Sequence, residues 1–229
     1  MTEPLYRNIL AVDTATATLR LGMCFGRDRR VKSDSPAERS HGQMIIRRID
    51  DLCQSAGLQK RDIEAIVVSL GPGSFTGLRI GLAAVKGIAV ALGIPVAGVS
   101  LFEVAAHKLR NVTGPVLLLI HHRRDSSFVV EIESGSHDIE AIREVALMDL
   151  QGIIGNRRVL LIGVDRFAIP TGSDIATRVE TLDYDALDLL DVGIAKLSGG
   201  AAGDIAGLEP MYVQKSQAEI RFEARQKKQ

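Results

Sequence analysis

The chain has 229 residues with 28 basic and 28 acidic side chains, so its formal net charge is zero, and overall charge gives no case for a nucleic-acid binder. That length suits one large domain or two small ones, with ample material for a packed core. Hydrophobic residues make up 46% but aromatics only 4%, and tryptophan is absent, so the core has to be built from Ile, Val, Leu and Ala, as in parallel or mixed sheets covered by helices.

Asn8 to Thr14 reads as a short apolar strand that ends in Asp13-Thr14. Ala17 to Phe25 alternates apolar and polar residues, the period of a half-buried strand, and Arg29 to Ser33 returns as a third strand after the turn at Gly26-Arg27-Asp28. From Ser40 to Ala56 the period becomes helical, with Ile45, Ile49, Leu52 and Ala56 on one face and Gly57 as the terminating glycine. Ile63 to Leu70 is a buried strand, Gly71 to Gly77 a glycine-rich corner, and Leu78 to Leu92 a helix stopped by Gly93-Ile94-Pro95. Val96 to Val99 is a short strand, and Ser100 with Glu103 forms a capping box for a helix reaching about Arg110. The opening therefore runs βββαβαβα.

A second run begins with strands at Pro115 to Ile120 and Phe128 to Ile132 and a third at Ile142 to Leu147, then a short helix at Leu150 to Ile154 and a buried strand at Val159 to Ile162. Tyr184 to Leu197 is helical by its spacing, Ser198 to Gly207 is a loop, and Glu209 to Val213 is extended. The two halves share a pattern without a residue-level repeat. This suggests a duplicated α/β unit with a cleft between the halves. The expected division is a first lobe over 1–100 and a smaller second lobe over 101–197, with 198–229 packing back on the first.

The glycine corner invites comparison with phosphate loops and fits neither. A P-loop ends in Gly-Lys-Ser/Thr, whereas this one ends in Gly77-Leu78-Arg79. The dinucleotide fingerprint needs a glycine where Thr76 stands. Ser74 or Thr76 instead supplies a helix-capping hydroxyl. The Asp13-Thr14 corner could hold a metal-bound water or a phosphate; an Asx or ST turn explains it as well. No HxxxH pair and no GxSxG occur. Cys24 and Cys53 have no metal-ligand spacing and read as reduced thiols. No signal peptide is predicted from Met1 to Asn8, and the apolar stretch Gly87 to Phe102 is too short and too punctuated to span a membrane. The helix after the corner carries Gly77, Gly81, Ala84, Ile88 and Ala91 on one face and Leu78, Leu82, Val85, Ala89 and Leu92 on another. Each helical glycine costs about 1 kcal/mol of propensity, so the small face needs a packing reason. It suits close approach by another helix, either the chain's own Ser40 to Ala56 or a partner's.

Together, Ile9 to Thr16 (ILAVDTAT), Ser40-His41-Gly42-Gln43, Ser69 to Gly81 (SLGPGSFTGLRIG), Gly93 to Ser100 (GIPVAGVS) and Glu209-Pro210-Met211-Tyr212-Val213 resemble the TsaB (YeaZ) family over nearly the whole chain. The resemblance implies an α/β fold of two duplicated ribonuclease-H-like lobes, of the acetate kinase, Hsp70 and actin type, with mixed sheets flanked by helices. It implies a cytoplasmic, non-catalytic dimerisation subunit. Such a subunit pairs with the catalytic paralogue TsaD and works with the ATPase TsaE. The complex places a threonylcarbamoyl group on N6 of the adenosine beside the anticodon of certain tRNAs, so tRNA is met through the complex. Alone, such proteins form homodimers through the same surface.

The same resemblance assigns the partner interface to the first-lobe helices, here Ile45, Ile49, Leu52, Gly77, Arg79, Gly81, Ala84 and Ile88. It leaves Asp13, Thr14, Gly73, Ser74 and Thr76 as a vestigial nucleotide or anion loop, with no resident metal or cofactor and at most weak ATP or ADP binding. Two departures weaken nucleotide binding further. His121-His122-Arg123 stands where the family has Asp-Ala-Arg, and Asp165 stands where it has a glycine, which would repel a phosphate. The basic tail, Lys215 to Gln229, could meet RNA backbone; a solvated face explains it too. Rival readings are a glycoprotease-like metallopeptidase and a nucleotide-dependent phosphotransferase, which need metal ligands or a nucleotide cleft.

Overall fold

The computed structural model describes residues 5–26, 28–36, 41–123, 126–132, 142–155, 157–162, 179–200 and 204–211. Strands β1 (Ile9–Asp13), β2 (Thr18–Phe25) and β3 (Arg29–Pro36) form the expected antiparallel meander. The free side of β1 pairs in parallel with β4 (Ala65–Gly71), and β4 with β5 (Val96–Ser100), giving the order β3-β2-β1-β4-β5. The second sheet repeats this plan. Its meander is β6 (Val116–Arg123), β7 (Ser126–Ile132) and β8 (Arg143–Ala146), and β9 (Arg158–Ile162) and β10 (Val179–Leu182) add in parallel beyond β6. Its order, β8-β7-β6-β9-β10, is that of the first sheet. The fold is the duplicated mixed-sheet α/β architecture expected.

Helices cover both faces of the first sheet. On one face lie α1 (His41–Ser55) and α2 (Phe75–Leu92), where Leu10, Val12, Ile66 and Val68 meet Ile45, Ile49 and Leu52 of α1 and Leu82, Val85 and Ala89 of α2. On the other face lie α3 (Leu101–Leu109) and α5 (Ala186–Ser198). There Ile9, Ala11, Val67 and Ala97 join Phe102, Val104, Leu189 and Leu190 in a core that runs on into Leu118, Ile120, Phe128 and Val130 of the second sheet. β1 thus feeds two cores by simple alternation, which explains its unbroken apolar run. The short α4 (Leu150–Ile154) closes a third, smaller core on the far face of the second sheet.

α5, which follows the second sheet in the chain, packs across the first sheet and against α3. The fit is close at two points. Gly22 of β2 lies under Ala186, and a Cβ at Gly193 would overlap the side chain of Val67. Between the two sheets, α3 and α5 supply packed apolar side chains.

The caps follow the sequence signals. Ser100 Oγ accepts from the Glu103 N–H (3.1 Å) while Glu103 Oε2 accepts from the Ser100 N–H (2.7 Å), the capping box foreseen for α3. Ser74 Oγ accepts from the Gly77 N–H at the start of α2, and Gly93 ends that helix at φ 66°, a left-handed conformation.

Candidate functional site

Asp13 ends β1 at the corner read from the sequence as a possible seat for a phosphate or metal-bound water. It is fully buried, and its carboxylate is already engaged by this chain. Oδ1 accepts from the Ala15 N–H at 2.9 Å, closing an Asx turn. Oδ2 accepts from the Tyr184 hydroxyl at 2.7 Å, and Arg20 Nη1 lies 3.6 Å from the same oxygen. Arg20 is placed by its register opposite Asp13 on β2. Its guanidinium donates to Thr16 Oγ1 at 2.6 Å and stacks 4.5 Å from the centroid of the Tyr184 ring. Burial, reinforced by the negative charge of Asp13, drives the Tyr184 phenol well above its ordinary value, so it stays a neutral donor. Neither Tyr184 nor Arg20 was a sequence candidate. Tyr184 sits 171 residues from Asp13, and no local pattern marks such a pairing.

The glycine corner rests against the turn that follows Asp13. Ser74 N–H donates to the Ala15 carbonyl at 2.7 Å. A Cβ at Gly73 would overlap that carbonyl, one at Gly77 would overlap the Thr14 carbonyl, and one at Gly81 would overlap the Thr14 hydroxyl. The three glycines therefore exist so that α2 can lie directly on the Thr14–Ala15 turn. An anion at this helix N-terminus would face two carbonyl oxygens, and the Ser74 and Gly77 N–H groups already have partners. The Thr14 hydroxyl is buried against Gly81 without a hydrogen-bond partner.

The residues of the expected interface lie at different depths in the chain. Ile45, Ile49 and Leu52 are buried in the first lobe's own core, and Gly77 and Gly81 are buried against Thr14. Ala84 and Ile88 are half-buried beside that core, and Arg79 alone of the α2 candidates is exposed. At Gly77 and Gly81 the small-residue face receives the chain's own turn, and further along α2 packs beside α1. The outward face of α2 consists of Phe75, Thr76, Arg79, Ala83, Gly87, Val90 and Ala91. Val90 is 70% exposed and Phe75 42%, with the Arg79 guanidinium 3.9 Å from the Phe75 ring. Ile46 adds an exposed apolar side chain on α1, which packs beside α2. By length and composition α2 could cross a membrane; here one side of it lies on β4 and β1.

Among the described residues, no three His, Cys, Asp or Glu side chains gather as a metal site. Asp165 and the tail 215–229 lie outside the described residues, as do Tyr212 and Val213 of the C-terminal motif; the part of that motif described ends with the Met211 N–H donating to the Leu70 carbonyl at 2.8 Å. His121 is described only by its backbone, paired with Ser127.

Comparison with known proteins follows the same lines. Residues 35–175 match the family model described as TsaD, tRNA N6-adenosine threonylcarbamoyltransferase. The tRNA threonylcarbamoyladenosine biosynthesis protein TsaB of Escherichia coli K12 is 27% identical over 224 residues, covering 92% of this chain and 96% of that protein. An uncharacterized protein of Mycobacterium leprae is 33% identical over 134 residues, 56% of this chain; the match spans only 36% of that protein. Among solved structures, a Pseudomonas aeruginosa protein described as similar to peptidase YEAZ superposes with a TM-score of 0.70 at 22% identity, covering 91% of this chain and 100% of that one. That last likeness is one of fold.

Proposed function

We propose, given that this chain belongs to the TsaB (YeaZ) family, that it serves threonylcarbamoyladenosine synthesis in tRNA as a docking subunit and not as the catalyst. The observation that carries the reading is the outward face of α2. Ala83 and Gly87 keep it flat, Phe75 and Val90 expose apolar surface at either end, and Ile46 extends it onto α1. A flat apolar helix face of this kind allows a second helix to approach closely and bury Val90. The partner is the catalytic TsaD, with TsaE as a further component and tRNA engaged through the assembly. In its absence, two copies of this chain pair through the same face. The reading puts the protein in the cytoplasm, and the unpaired cysteines Cys24 and Cys53 accord with a reducing compartment.

The Asp13 corner supports the non-catalytic half of the proposal. Its carboxylate is held by Tyr184, Arg20 and the Ala15 N–H, so no oxygen is presented to a substrate. Co-purification with TsaD from the same organism tests the docking half. Val90→Arg is expected to weaken capture at least tenfold while leaving the melting temperature unchanged, and undiminished capture would remove α2 from the interface. Calorimetric titration with ATP tests the other half. Micromolar binding would mean that the corner opens to nucleotide after all.

A further inference from the structure

Resting on the docking reading above, we propose that Tyr184 is a positioning residue for α2. Through Asp13 it holds the Thr14–Ala15 turn against the glycine face of that helix, so the second half of the chain sets the pose of the docking surface. The contacts are continuous. Tyr184 donates to Asp13 Oδ2 at 2.7 Å, and Asp13 Oδ1 accepts from Ala15 N–H at 2.9 Å. The Ala15 carbonyl accepts from Ser74 N–H at 2.7 Å, and the Thr14 carbonyl and side chain lie on Gly77 and Gly81.

The turn is thus gripped from two sides. On the α2 side the grip is steric, because the helix lacks side chains where the turn passes. On the other side it is polar and comes from the residue that immediately precedes α5's N-cap, Asp185. The Tyr184 grip is backed by neighbours that fix it: Arg20 stacks on the ring, and Asp185 caps α5 while pairing with Lys32 of β3. Asp13 has no solvent to turn to when Tyr184 lets go, because it is fully buried. Removing the phenol hydroxyl leaves a buried carboxylate oxygen short of a donor, and the readiest remedy is for the turn to rotate. Such a rotation moves Thr14 and Ala15, and with them the first turns of α2.

The test is hydrogen exchange on the isolated full chain. Tyr184→Phe keeps the ring and its packing but removes the donor. Amides of residues 74–81 are expected to exchange at least tenfold faster, while those of 44–55 in α1 keep their rate. Arg20→Met, which removes the ion pair, the stacking and the hydrogen bonds to Thr16 Oγ1 and the Tyr184 hydroxyl but leaves the phenol, is expected to move the same amides in the same direction. It also serves if the Phe variant does not fold. Faster exchange confined to 179–190 would overturn the proposal, since the clasp would then secure only the entry to α5. An even rise across every element would overturn it too, as a loss of global stability. Capture by TsaD is measured alongside, with Tyr184→Phe expected to lose at least fivefold. Failure of the unmodified chain to bind TsaD sinks the docking reading alone, because the exchange experiment needs no partner.

Discussion

Two glycines of the same helix should respond to alanine with opposite signs. At Gly87 a Cβ would meet nothing within 4 Å, and the residue is exposed. Alanine there gains helix propensity of about 0.5–1 kcal/mol and loses nothing, so stability should rise by that amount. At Gly81 the same gain is available, but the new Cβ overlaps the Thr14 hydroxyl and lies 2.9 Å from Thr14 Cγ2. Overpacking of this kind costs about 1–3 kcal/mol, so the net change should be a loss of about 1 kcal/mol, within a span of about 0–2.5 kcal/mol. The double variant Thr14→Ala/Gly81→Ala closes the cycle. Removing the threonine hydroxyl and methyl frees the space, and it also deletes a buried hydroxyl with no partner. The pair should therefore be more stable than the sum of the single changes by at least about 1 kcal/mol. Urea denaturation reads all five proteins, the unmodified chain, Gly87→Ala and the three variants of the Thr14/Gly81 cycle. If Gly81→Ala proves as stabilising as Gly87→Ala, then α2 does not rest on the Thr14–Ala15 turn and the account of the glycine corner is wrong.

Three further outcomes are expected. Ser74→Ala should cost about 1 kcal/mol by uncapping α2, with Ser74→Asp restoring most of it in the same denaturation assay. Burial, with Asp50 adding to it, raises the Cys53 thiol from 9.0 to about 11. The unfolded thiol ionises first, so stability is complete below pH 9 and falls as the pH climbs towards 11, by up to about 2–3 kcal/mol. Cys53→Ala should flatten that fall in melting curves taken across the range. Burial alone would raise the Glu103 carboxyl, but Lys196 and the Ser100 N–H and hydroxyl outweigh it and hold the group below its ordinary 4.5. Lys196→Met, which also leaves the Gly98 carbonyl without its 2.8 Å donor, should cost about 1–2 kcal/mol at pH 7. A depressed carboxyl loses its contribution as the pH falls, so the Glu103 share of the gap to the unmodified protein should narrow below pH 4.5.

Much of the architecture was legible because its signals are local. The alternation in Ala17 to Phe25, the helical period of Ser40 to Ala56 and the capping box at Ser100 each describe a few neighbouring residues, and each element formed where expected. β10 gave no signal, since a four-residue edge strand reading Val-Glu-Thr-Leu carries too little apolar pattern. The site was less legible. A helical wheel shows that α2 is apolar on two sides, but not which side the sheet takes. Gly77 and Gly81 looked like an invitation to a partner because the turn they accommodate lies some sixty residues earlier in the chain. In the same way Ile45, Ile49 and Leu52 form the stripe that any amphipathic helix turns inward, and exposure at Ile46 could be read only once the sheet was in place. Asp13 was found from its position at a strand end. Its partner Tyr184 could not be, because nothing in the spacing of two residues 171 apart records that they touch.

The placement of α5 bears on how the chain is made. β5 is complete at Ser100 and α3 follows at once over β4 and β5, yet α5, which covers β1 and β2 on the same face, begins only at Ala186. At about 5–20 residues per second of synthesis, that part of the apolar face stays open on the order of 4–17 s after its strands have emerged. The nascent first sheet is thus a half-roofed intermediate, with its exposed edge strand studded by Arg29, Arg30, Lys32 and Asp34, charges that discourage pairing with another chain in that interval. A chain ended at Leu182 is expected to be cut by protease within β1 to β5, where one carried through Met211 resists. The last helix among the described residues, α5, thereby becomes the point at which the first sheet is committed.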